Sequence, residues 1–99
     1  MQFITLTASG IAHAGKCSCG GFLLGMDKVN DMEVTLYDNA SAASGNKIVP
    51  TNTYDASALG LNGFSPKENI ECSNGIYVEM DEGDGAGEVT VYFSVGFHH

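Results

Sequence analysis

The chain has no tryptophan, no arginine, two prolines and four lysines among its 99 residues. Each shortage excludes something. Phosphate recognition favours the planar arginine fork, and nonspecific nucleic-acid binding needs a basic footprint. Against the four lysines stand 12 acids, for a formal net charge of −8. No nucleic acid and no anionic membrane surface is therefore expected as a partner. No stretch reaches the ~20 consecutive apolar residues of a spanning helix. No basic segment followed by an apolar run opens the sequence, so the expectation is a protein made in a cytoplasm, with reduced thiols. No window carries a sustained helical stripe between good caps. The closing His98 and His99 carry no functional weight.

What is abundant is glycine, at 13 residues, together with Val, Ile, Thr, Tyr and Phe. That is the composition of short strands joined by turns. The length fits a single β domain over 1–99, able to bury about two-thirds of its unfolded surface.

Period-two alternation marks the clearest strands. In Glu88 to Val95, Val89, Val91, Phe93 and Val95 share one face, and Glu88, Thr90, Tyr92 and Ser94 the other. In Met32 to Asp38, Val34 and Leu36 point inward, with Glu33, Thr35 and Tyr37 outward. In Ile76 to Met80, Ile76, Val78 and Met80 are inward, with Tyr77 and Glu79 outward. Phe3 to Thr7, Gly21 to Val29, Lys47 to Val49 and Asn69 to Cys72 are weaker strands. Asp55 to Phe64 is ambiguous, because Gly60 and Gly63 favour a loop. Turn residues separate these segments. The reading is all-β: an antiparallel β-sandwich or small barrel, jelly-roll or immunoglobulin-like, of about seven to eight short strands. Glu33 to Tyr37 and Glu88 to Tyr92 agree at four of five positions, which two half-buried strands under one constraint explain.

Three groups of residues carry candidate chemistry. Asp81, Glu82, Asp84 and Glu88 in the glycine-rich loop before the last strand offer oxygens to calcium, but lack the EF-hand spacing. A solvated hairpin loop is the plain alternative. His13, Cys17, Cys19 and Cys72 make up a legitimate zinc set, although Cys-Ser-Cys is not the Cys-x-x-Cys of a zinc or redox site. Alternatively, Cys72 is a small core residue, and Cys17 and Cys19 are loop or strand-edge thiols. Tyr37, Tyr77 and Tyr92 all occupy outward faces. Cross-strand packing accounts for them, and so does a protein partner, since tyrosine is enriched in interface centres. No nucleophile has a base with an orienting group in view, and no phosphate loop is present. No catalytic residue and no cofactor is expected.

Gly20-Gly21-Phe22-Leu23-Leu24-Gly25, Val34-Thr35-Leu36-Tyr37-Asp38-Asn39, Ser44-Gly45, Asn74-Gly75-Ile76-Tyr77-Val78 and Val89-Thr90-Val91-Tyr92 occur in that order. Over residues 17–95 this pattern resembles a group of small virion structural proteins of tailed bacteriophages. The resemblance implies a β-sandwich that decorates or cements a capsid, or forms part of a head fibre, connector or tail, often as a homotrimer. Its partners would be itself and a major capsid or other virion protein. Cys17-Ser18-Cys19, the loop Pro50 to Pro66, and an arm or extra strand over 1–15 depart from the pattern. A chain at −8 would be repelled by packaged DNA, which places it on the outer surface of the virion. The second reading is a carbohydrate- or receptor-binding module of a tail fibre or spike. A third, a small zinc-dependent or thiol enzyme, rests only on His13 and the cysteines.

Overall fold

The computed structural model describes residues 1–26, 31–55, 62–81 and 87–95. Among them nine strands form: β1 Gln2–Leu6, β2 Gly10–Ala14, β3 Cys17–Met26, β4 Met32–Tyr37, β5 Lys47–Tyr54, β6 Asn62–Phe64, β7 Ile70–Cys72, β8 Gly75–Asp81 and β9 Gly87–Ser94. Every pairing is antiparallel. Sheet I runs β1-β9-β3-β6, with β7 pairing the other end of β3; sheet II runs β2-β8-β4-β5. The two sheets pack face to face as a sandwich.

The strand count is nine rather than seven to eight, and the extra strands come from weakly patterned sequence. Residues 1–15 supply β1 to sheet I and β2 to sheet II. Pro50 lies inside β5, because β5 is an edge strand and its pairing with β4 slips on either side of Leu36. A proline without an N–H is tolerated at such an edge. The segment Pro50 to Pro66 is therefore not one long loop: Pro50–Tyr54 continues β5, and Asn62–Phe64 forms β6. Gly63, which favoured a loop in sequence, allows a close approach instead. A Cβ there would stand 2.4 Å from the Phe22 carbonyl oxygen.

The core is the inward alternation of both sheets. Sheet I contributes Phe22, Leu24, Val89, Val91 and Phe93, and sheet II contributes Met32, Val34, Leu36, Ile76, Val78 and Met80. Each such side chain, fully buried, stabilises the fold by about 1.5–3 kcal/mol. Tyr54 also turns inward, edge-on to Phe22 at 5.9 Å between ring centroids, and burial pushes its hydroxyl pKa up.

A bulge at Gly20-Gly21 makes β3 serve this core along its whole length. Cys19 pairs with Phe93 and Gly21 with Tyr92, so β3 carries one extra residue between them. The inward set therefore changes phase, from Cys17 and Cys19 to Phe22 and Leu24. Gly21 has φ of 109°, and a Cβ there would lie 2.2 Å from the Phe64 carbonyl oxygen. Only glycine meets both demands. Cys17 and Cys19 are consequently core residues, not loop or strand-edge thiols.

Candidate functional site

Asp38 holds one end of the sandwich together. Its carboxylate accepts N–H bonds from Ser73 (3.1 Å), Asn74 (2.8 Å) and Gly75 (3.3 Å), which form the turn between β7 and β8. Charge-assisted bonds of this kind are roughly twice as strong as neutral ones. Gly75 has φ of 146°, and a Cβ would meet the His13 carbonyl oxygen at 2.4 Å. Asn39 organises the adjacent loop: its Oδ1 accepts from the backbone N–H of Ser41 and Ala42, and its Nδ2 donates to the Ser44 carbonyl. The Asp38-Asn39, Ser44-Gly45 and Asn74-Gly75 elements of the sequence pattern are thus devices of the fold. So is Gly20-Gly21.

The three cysteines come together beneath this corner. Cys17 is the direct cross-strand partner of Cys72, and Cys19 that of Ile70. All three are buried and free. The Cys72 thiol donates to the Ile70 carbonyl at 3.4 Å, and the Gly21 N–H donates to the Cys19 sulfur at 3.4 Å. Burial pushes all three thiols up, Cys72 to about 12, with the nearby Asp38 charge adding to the effect on Cys17 and Cys72. A thiol so raised is a poor nucleophile and a poor metal ligand at neutral pH. His13 stacks on Phe93, ring centroids 4.9 Å apart. Among the described residues no three His, Cys, Asp or Glu side chains are placed to hold a metal ion. Of the calcium candidates, Asp81 ends β8, Glu88 lies over Gly25, and Glu82 and Asp84 fall outside the described residues.

The tyrosines separate. Tyr37 and Tyr77 are direct partners across β4 and β8 on the outer face of sheet II. Ile11 on β2 pairs with Tyr77, and Lys47 on β5 with Tyr37, so one row, Ile11–Tyr77–Tyr37–Lys47, crosses all four strands. The Tyr37 hydroxyl donates to Glu79 at 3.3 Å; local desolvation, with the Glu79 charge, raises its pKa. Glu33 pairs with Asp81 on the same face, which is therefore acidic. Thr35, expected to face solvent there, is 1% exposed and shares a hydroxyl hydrogen bond with Thr51 at 2.7 Å.

Tyr92 lies on the opposite side of the molecule, on the outer face of sheet I. Its cross-strand neighbours are Phe3 on β1 and Gly21 on β3, and the Phe3 and Tyr92 rings are 6.0 Å apart. The next row is Thr5, Thr90, Leu23 and Gly63. Phe3 is 67% exposed and Leu23 38%. Neither row contains a charge, and the acids of this sheet, Glu71 and Glu88, stand towards its ends on β7 and β9. Phe3 and Leu23 were not among the sequence candidates. Each belongs to a weakly patterned strand, so its outward direction is not visible before the pairing is known.

Among the described residues no helix is long and apolar enough to cross a membrane. No family model, no curated protein and no solved structure matches this chain.

Proposed function

We propose that this chain is a non-enzymatic structural protein of a bacteriophage virion, a decoration or cement subunit on the outer surface of the capsid. The observation that carries the reading is the polarity of the sandwich. The middle of one outer face carries no charge and bears exposed Phe3 and Leu23 beside half-buried Tyr92, with Glu71 and Glu88 towards its ends; the other face carries acids, Glu33, Glu79 and Asp81, across β4 and β8. A subunit that coats a shell needs one face to dock and another to meet solvent. Exposed aromatic and aliphatic side chains grouped on one face are the usual anchors of such docking. The order of sequence motifs is the second support. Net charge of −8 favours the outside of the shell over contact with packaged DNA. The chain would be made in the bacterial host's cytoplasm and assemble with itself and a major capsid protein.

The test is binding to shells that lack the protein. Phe3→Ser with Tyr92→Ser should weaken binding by ~2 kcal/mol or more with the fold intact, as expected for a pair of hot-spot residues. Tyr37→Ser with Tyr77→Ser should bind like the parent. Equal effects from both pairs would refute the polarity argument.

One observation favours a second reading, a carbohydrate- or receptor-binding module of a tail fibre or spike. Tyr37 and Tyr77 lie side by side with the Glu79 carboxylate bonded to the Tyr37 hydroxyl, an aromatic pair beside hydrogen-bond acceptors. Binding of a glycan panel that is lost in Tyr77→Ser would select this reading over the first.

A further inference from the structure

Among the described residues four strand edges bound this sandwich, and three of them are guarded. The β5 edge carries Lys47, Pro50 and two breaks in register. The β2 edge is broken between Ile11 and His13. The far edge of sheet I is divided between β6 and β7, three residues each, and β7 presents Glu71. Short strands, bulges, prolines and charges are the devices by which natural sheets prevent edge-to-edge pairing. The fourth edge, β1, has none of them. Its sequence is Gln-Phe-Ile-Thr-Leu, it pairs with β9 in unbroken register over all five residues, and no other strand pairs with it among the described residues. Its free edge presents alternate N–H and C=O groups, and Phe3 stands exposed beside them.

We infer that β1 is a self-association edge: two copies of this chain pair β1 to β1, antiparallel across a two-fold axis, and join their copies of sheet I into one continuous sheet. The occupant is a second copy: the edge is complementary to itself, and it is a place where two such chains meet without like-charge repulsion. Two chains at −8 repel each other in most orientations. Along β1, and on the adjoining rows Phe3–Tyr92 and Thr5–Thr90, neither copy offers a charge to the other. An antiparallel pairing centred on Ile4 sets Phe3 of each copy opposite Thr5 of the second copy and uses all five residues. Such a contact is isologous and closes at two, which stops the chain from growing into a fibre. It replaces the three-fold association that the sequence resemblance implies, and does not depend on the virion reading.

The experiment is sedimentation equilibrium of the full chain from about 1 μM to about 1 mM, the span over which modest interfaces dissociate. It is paired with amide hydrogen exchange. The parent should show a monomer–dimer equilibrium, and alternate amides of Gln2 to Leu6 should gain protection as concentration rises. Thr5→Lys installs the edge guard that β1 lacks, at an exposed position, and should weaken dimerisation at least tenfold. It does so while making each chain one unit less negative, a change that by itself favours association. Thr53→Lys, on the guarded β5 edge, should leave the dimer constant unchanged. A parent that stays monomeric throughout would overturn the inference. So would an oligomer indifferent to Thr5→Lys, one weakened equally by Thr53→Lys, or a dimer without added protection in β1. If Thr5→Lys fails to fold, the exchange pattern of the parent decides.

Discussion

Strands β4 and β9 carry nearly the same residues, Glu33-Val34-Thr35-Leu36-Tyr37 and Glu88-Val89-Thr90-Val91-Tyr92, and each runs through the middle of its sheet. Their inward residues do the same work in the core. Their outward residues begin alike and end differently. Thr35 bonds Thr51 at 2.7 Å and Thr90 bonds Thr5 at 2.8 Å, but the first pair is buried at Thr35 and the second lies in the open. Tyr37 stands between Tyr77 and Lys47 and bonds Glu79; Tyr92 stands between Phe3 and Gly21. One five-residue pattern thus yields an acidic, hydrogen-bonded face in sheet II and, in sheet I, a face whose middle rows are apolar and uncharged, with its acids towards the ends. The neighbours make the difference.

The sharpest way to break the comparison is at the neighbour of Tyr92. Gly21→Ala adds a Cβ against the Phe64 carbonyl at a residue with positive φ. Loss of more than ~4 kcal/mol of unfolding free energy is expected in urea titration, the size reserved for backbone conflict. Gly10→Ala, in β2 of sheet II, has no such conflict and should cost ~1 kcal/mol or less.

Alkali separates the sheets next, because every cysteine lies in sheet I. A thiol whose folded pKa exceeds its unfolded value of 9.0 contributes stability that is complete below pH 9. That stability falls as pH rises from 9 towards about 12, the folded value of Cys72. The slope for this one group approaches ~1.4 kcal/mol per pH unit. Unfolding free energies measured from pH 8 to 11 should fall accordingly, and the fall should be shallower in Cys72→Ala, whatever that variant loses in packing.

The paired threonines give a smaller contrast. Thr35→Ala, at the buried site, should cost about 1–2 kcal/mol, and Thr90→Ala, at the open one, about 0.5 kcal/mol, by thermal unfolding. Equal costs would mean that burial on the outer face of sheet II carries no energetic weight. The smallest effect is electrostatic. Glu79→Gln removes the charge beside Tyr37 and should move the ionisation of that tyrosine to lower pH in a spectrophotometric titration, leaving stability near neutral pH unchanged. Desolvation is the larger cause of the raised value, so part of the shift should persist.

The alternation of Val89, Val91 and Phe93, of Val34 and Leu36, and of Ile76, Val78 and Met80 determined by itself that these strands have one buried face and that the chain is all-β, a sandwich or a small barrel; the strand pairing into two separate sheets decided for the sandwich. Alternation is a local property, since successive side chains of any strand point to opposite sides. Sequence could not show where alternation is interrupted. The Gly20-Gly21 bulge changes the phase of β3 and brings Cys17 and Cys19 into the core, while Pro50 and Gly63 stand inside strands because of what lies next to them. Nor could it show that Tyr37 and Tyr92 face opposite sides of the molecule, because the sheet a strand joins depends on partners as distant in sequence as β1 and β9. Tertiary structure alone decided which outward residues share a surface. The pairing that sets it is non-local, and the same Glu-x-Thr-x-Tyr pattern is compatible with either face.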